Sequence, residues 1–106
     1  MDTTYSQQQA LNTLIGGCTM TEVDLATDAD VVVTASPALL LGIYVNVVLS
    51  THVVEVKNGA DSQLTLPVDL AAGTKIDCHS AVFDTNITIE SNDSATGKIV
   101  VFWRAK

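Results

Sequence analysis

The stretch VEVKNGADSQLTLPVDL, residues 54–70, decides how the chain is read. Val54 and Val56 alternate with Glu55 and Lys57. After a break, Leu64, Leu66, Val68 and Leu70 alternate with Gln63, Thr65, Pro67 and Asp69. A period of two places one set of side chains on each face of an extended strand, so each half reads as a half-buried strand. Asn58-Gly59 between them is a strong reversal signal, because these residues tolerate the positive φ that a tight hairpin turn needs. Pro67 has no N–H to donate to a neighbour, which places its strand at the edge of a sheet.

Working outward from this hairpin, period two recurs. Leu39, Leu41, Ile43, Val45, Val47 and Leu49 read as one unbroken apolar face, with Tyr44 and Asn46 on the other. Thr21, Val23 and Leu25 alternate with Glu22 and Asp24, and a turn-like TDAD leads into VVVTA. KIDCH (75–79), NITIE (86–90) and GKIVVFWRA (97–105) complete about eight short strands separated by Gly, Asn or Asp. Nothing after residue 17 has the helical period that parallel crossovers would require. The fold class expected is therefore all-β: an antiparallel β-sandwich, for which eight strands suit a jelly roll, with an immunoglobulin-like sandwich as the alternative.

The last strand is apolar on both faces: Ile99, Val101 and Trp103 on one, Val100 and Phe102 on the other. The outer face of a two-layer sandwich is normally wet. Val100 and Phe102 are accordingly candidate residues of a subunit contact.

Residues 1–17 read differently, as a short N-terminal helix or arm ahead of a sandwich domain at 18–106. Ser6 and Gln9 have the capping-box spacing, Tyr5 is placed to staple against Ala10, and Gly16-Gly17 end the segment. Ala10, Leu11, Leu14 and Ile15 fall on one stripe. So short a helix is marginal alone and must dock on something. Tyr5, Leu11, Leu14 and Ile15 join Val100 and Phe102 as the candidate interface.

Composition narrows the function. The 106 residues are 47% hydrophobic and only 16% charged, with a net charge of −7. That is poor in charge for a free monomer and suggests apolar surface meant for a partner. There is no basic patch, and no Lys or Arg precedes residue 52, so neither nucleic acid nor an acidic membrane is an expected partner. The polar start MDTTYSQQQ lacks the pattern of a signal peptide, which makes the cytoplasm the expected place of synthesis. Cys18 and Cys78 are then expected as reduced, mostly buried thiols.

The reactive-looking groups do not converge. Cys78 and His79 are neighbours on a strand and point apart, so they cannot form a thiol–imidazole pair; Cys78 reads as a small core residue. Asp77 and His79 share a face but offer only two ligands to a metal, which is a weak site. Asp24, Asp28 and Asp30 lack the Gly and Glu of an EF-hand loop. No catalytic residues, metal or cofactor are assigned.

Two stretches together carry a likeness: VVVTASPALLLGIYVNV, a strand, a Ser-Pro turn and an aliphatic strand broken by Gly42; and FDTNITIESNDSATGKIVVFWR, an outer strand, a polar hairpin and a closing strand ending in Arg104. Over residues 31 to 104 this order resembles the small head decoration, or cement, proteins of tailed bacteriophages, which are β-sandwiches or jelly rolls. The resemblance implies a structural virion protein on the capsid exterior, with the major capsid protein and further copies of itself, commonly as a homotrimer, for partners. The alternative is a receptor- or glycan-binding module of a phage tail or fibre, for which exposed aromatics beside carboxylates or amides would be the sign.

Overall fold

The computed structural model describes residues 18–106; the arm and its Tyr5, Leu11, Leu14 and Ile15 lie outside the described residues. Eight strands run in order: β1 Thr19–Asp24, β2 Asp30–Thr34, β3 Ala38–Val47, β4 Val54–Asn58, β5 Asp61–Leu66, β6 Lys75–Phe83, β7 Ile87–Ser91 and β8 Lys98–Ala105.

The hairpin at 54–66 is the tip of a nested ribbon. β4 pairs with β5, β3 with β6, β2 with β7 and β1 with β8, all antiparallel. A two-stranded ribbon cannot bury an apolar face on its own. This one rolls up, bringing β8 against β3 and β7 against β4. The result is two four-stranded sheets, sheet A in the order β1-β8-β3-β6 and sheet B in the order β2-β7-β4-β5. This is the strand order of a jelly-roll sandwich. Every link except the β4–β5 turn passes from one sheet to the other.

The turns follow from their residues. Gly59 sits at φ 62 while Ala60 keeps a negative φ, the pattern of a type II′ hairpin with Gly first. Two asparagines tie this tip to the β6–β7 turn. Thr85 N–H donates to Asn58 Oδ1 at 2.9 Å, and Gly59 N–H donates to Asn86 Oδ1 at 3.0 Å. Gly97, at φ 108, sits where three loops meet. Its carbonyl accepts from Leu25 N–H at 3.0 Å, and a Cβ there would lie 2.6 Å from the Val48 carbonyl oxygen.

The core is almost wholly aliphatic. Val23, Val45, Ile99 and Val101 of sheet A and Val54, Val56, Ile87 and Ile89 of sheet B are fully enclosed, closed off by Leu25, Leu49, Leu66 and Phe83. No polar or charged residue is buried among the described residues. Each such side chain contributes about 1.5–3 kcal/mol of gross burial energy, so alternation along the strands is enough to assemble the sandwich.

Three expectations need correction. β5 stops at Leu66 and does not continue through Val68 and Leu70. Pro67 ends it, Asp69 turns at φ 58, and Val68 is exposed; β5 is nevertheless the edge strand that Pro67 implied. The apolar face of β3 is not unbroken: its register shifts between Leu40 and Gly42 and again between Val45 and Val47. Ala38, Leu40, Ile43 and Val45 are the buried set, while Leu39 and Leu41 face outward and Val47 is exposed. Finally, Cys18 is exposed rather than buried, because it precedes β1 and stands outside the two sheets.

Candidate functional site

A sandwich has two outer faces, and here they differ sharply in chemistry. Cross-strand partners share a face, so the registers assign every residue. On sheet B the outer rows are Val32 and Lys57 beside Thr88, Asp30 and Glu55 beside Glu90, and Thr65 beside Glu55. Apart from Val32, and Val53 just ahead of β4, that face is polar, and it carries the Lys57 Nζ–Glu90 Oε2 ion pair at 3.0 Å. The hydrogen bond from Lys57 to Glu90 pushes the ammonium pKa up. It behaves as a solvated outer face should.

Sheet A does not. One outer row crosses all four strands: Met20 of β1, Phe102 of β8, Gly42 of β3 and Asp77 of β6. The next row is Glu22, Val100, Tyr44 and Lys75. Toward the other end, Leu39 is flanked by Val82 and Arg104. The centre of the face is thus apolar, and its charges lie on the edge strands or in the outermost rows. Met20 is 64% exposed and Val82 52%, while Val100, Phe102, Leu39 and Leu41 are half-buried. An apolar centre within a polar rim is the anatomy of a protein–protein contact.

The first β3 bulge builds this face. Leu40 opposes Trp103 and Gly42 opposes Phe102, which leaves Leu41 as the extra residue. A glycine suits the bulge: a Cβ at Gly42 would stand 3.1 Å from the Ile76 carbonyl oxygen. Leu41, Tyr44 and Phe102, with Lys75, Ile76 and Asp77 along β6, line a shallow groove of about 220 Å³. Trp103, on the inner side, donates from Nε1 to Thr21 Oγ1 at 3.0 Å and is packed against the core.

β6 bulges too. Asp77 opposes Gly42 but Ala81 opposes Leu40, so Cys78, His79 and Ser80 stand across from Leu41 alone, two residues more than the register needs. His79 and Ser80 take φ of 53 and 57, left-handed values that side chains resist. Asp77 and His79 do meet, but through a turn rather than by simple strand alternation. His79 N–H donates to Asp77 Oδ1 at 2.9 Å, with Nδ1 3.6 Å from the same oxygen. Both side chains are well exposed. Cys78 points to the other side, half-buried against the core, and burial together with Asp77 pushes its thiol pKa up.

The aspartates of the first loop are turn residues. Asp24 Oδ1 accepts from Ala26 N–H at 3.1 Å and Asp28 Oδ1 from Asp30 N–H at 3.0 Å. Among the described residues, no group of three or more His, Cys, Asp or Glu is placed to hold a metal ion. A largely polar groove on the sheet B side, lined by His52, Val53, Glu55, Glu90, Ser91 and Asn92, contains no Phe, Tyr or Trp.

Of the sequence-derived interface residues, Val100 and Phe102 lie on this outer face. Sequence reasoning missed Met20, Leu39, Leu41 and Val82, which extend it across the sheet. Gly42, a lone glycine inside a strand, was the available signal for the bulge. Comparison with known proteins finds no matching family model, no matching curated protein and no matching solved structure.

Proposed function

We propose that this chain is a structural docking protein, a capsid decoration or cement protein of a tailed bacteriophage that binds the capsid exterior as a homo-oligomer. The observation that carries the reading is the apolar centre of the sheet A outer face, from Met20 through Phe102 and Leu41 to Val82. A monomer seldom leaves the middle of a sheet dry without a partner for it. An aliphatic and aromatic patch with charges at its rim suits a protein surface, where shape and desolvation give the affinity and the rim sets the register. Many weak copies on a lattice gain strength through avidity, so one modest patch is sufficient. The resemblance of residues 31–104 to head decoration proteins supplies the identity of that lattice.

The test compares three full-length variants in co-sedimentation with expanded capsids. Leu41→Asp and Phe102→Asp place a charge in the patch, and each is expected to lower binding at least about tenfold, since a charge forced into a dry contact costs more than 1.4 kcal/mol. Thr88→Asp, on the wet face of sheet B, leaves binding unchanged. Undiminished binding by both patch variants would refute the assignment of the face. Electron cryo-microscopy that places the chain at the tail tip instead of the head lattice would refute the decoration role.

A further inference from the structure

We propose that the outer face of sheet A takes a second copy of this chain, stacked face to face about a twofold axis that runs along the strands. The inference rests on the docking reading of that face and names its occupant.

Charge is the first argument. Of the chain's 5 Lys and Arg residues, Lys75, Lys98 and Arg104 stand on this face, and so do Glu22, Asp24 and Asp77. The face is thus neutral in a chain of net charge −7. The outer face of sheet B is not: it sets Asp30, Glu55 and Glu90 against Lys57. Two acidic molecules repel each other, and sheet A gives them a surface on which that repulsion is locally absent.

Register is the second. A twofold axis along the strands, midway between β8 and β3, keeps each cross-strand row at its own height and exchanges its ends. β1 then lies over β6 of the second copy, and β8 over its β3. In the row Glu22, Val100, Tyr44 and Lys75, Glu22 meets Lys75 of the second copy, and symmetry makes that pair twice. Both side chains are exposed. Asn46 Nδ2 donates to Glu22 Oε2 at 3.2 Å and holds that carboxylate inward over the sheet. The Lys75 ammonium has no ion-pair partner among the described residues. In the next row Phe102 comes over Gly42 of the second copy, a ring set on the position that has no side chain. The other possible axis, across the strands, would set Lys98 over Arg104 of the second copy, like charge on like charge. The charges therefore select the first axis. Sheets stacked with their strands within about 30° of each other are an ordinary packing.

Size sets the strength. Four strands about 4.8 Å apart, by the roughly 27 Å that an eight-residue β8 spans, give about 500 Å² per copy. The pair then buries about 1,000 Å², the lower limit for a specific contact, which makes it a reversible one.

The test is analytical ultracentrifugation of the full chain over a range of concentrations. Wild type is expected to pass from monomer to dimer as concentration rises into the micromolar range and above. Glu22→Lys brings two positive charges together at each pair, and Lys75→Glu two negative ones. Each is expected to weaken the dimer at least about tenfold, with far-ultraviolet circular dichroism checking that each remains folded. Mixed in equal amounts, the two variants complement each other and are expected to associate as a heterodimer with near wild-type affinity. Wild type that stays monomeric at millimolar concentration, or forms a trimer, would overturn the proposal. So would folded variants that fail to associate on mixing, because Glu22 would then not face Lys75 of the second copy. The docking reading fails separately, when Leu41→Asp and Phe102→Asp leave co-sedimentation with capsids undiminished.

Discussion

Leu40 and Leu41 are the same residue type, adjacent in one strand, and the β3 bulge sends them to opposite fates. Leu40 is 1% exposed and packs in the core, while Leu41 is half-buried on the outer face. Truncation to alanine at the two positions tests the bulge directly. Leu40→Ala removes about three methylene equivalents, roughly 2.4 kcal/mol of transfer energy. The cavity left behind raises this to about 3–4 kcal/mol, within the usual range for buried leucines. For a domain of this size that is a fall in Tm of roughly 12–32 °C, at about 4–8 °C per kcal/mol. Leu41→Ala loses only partial contacts and should cost less than about 1 kcal/mol, as surface substitutions do. Urea titration followed by Trp103 fluorescence measures both, and equal slopes would establish that the denatured states are comparable. The unfolded chains are nearly identical, so the difference belongs to the folded state. Without the bulge, period two would bury Leu39 and Leu41, and the order would invert. A Leu41→Ala variant as unstable as Leu40→Ala, or more so, would refute both the register and the docking face built on it.

Other outcomes follow from single residues. Gly97→Ala forces a side chain into φ 108 and a Cβ to within 2.6 Å of the Val48 carbonyl; it should cost at least about 2 kcal/mol in urea titration. Gly73→Ala, at φ 90 but with nothing within 4 Å of the added carbon, should cost only the conformational part, about 1 kcal/mol. Thiol titration at pH 8 should show Cys18 reacting quickly and Cys78 slowly, with the two becoming alike in denaturant, because Cys78 is half-buried with a raised pKa. The same shift has a sign in stability. The unfolded thiol ionises first, so the contribution of Cys78 is full below about pH 8.5 and declines as pH rises through the folded value; Cys78→Ser should flatten that slope. Lys57, raised by Glu90, behaves alike at higher pH: its contribution is present below the unfolded lysine pKa and lost above it, and Lys57→Met should remove that loss.

The sandwich was legible because its signals are local and repeated. Alternation located all eight strands, Asn58-Gly59 marked the ribbon tip, Pro67 marked an edge, and the two-sided β8 pointed to Val100 and Phe102, which lie on the outer face of sheet A. The register of β3 was not legible. A glycine inside a strand signals a bulge, but the shift itself depends on how closely β6 approaches, and Gly42 meets the Ile76 carbonyl of a strand more than thirty residues away in sequence. β6 was misread for a related reason. Its bulge includes His79 and Ser80 in left-handed conformations, and neither residue type announces that geometry. Cys18 was expected inside from residue type and expected compartment, whereas it stands just ahead of β1 and is exposed. The candidate face was therefore half visible: β8 could be read, and β3 required the fold.

The β3 bulge also bears on why the face exists. A strand that kept strict period two would place Leu39 and Leu41 inward beside Ile43 and Val45. The bulge instead turns Leu39 and Leu41 out and Ala38 and Leu40 in, so the core holds one alanine where it could hold a leucine, forgoing at most about 2.4 kcal/mol of burial at about 0.8 kcal/mol per methylene. Folding alone gives no return for this, since the core on the other side is already filled by Ala38 and Leu40 and contains no buried polar group to relieve. Sheet B in the same molecule, with threonines, glutamates and a lysine outside, demonstrates that this sandwich stands with a wet outer layer. The dry centre of sheet A is thus not a demand of the architecture. It is a local departure, made by one glycine and one extra residue. A departure that lowers the burial available to the monomer, confined to one face, is what the proposed docking role would require of this surface.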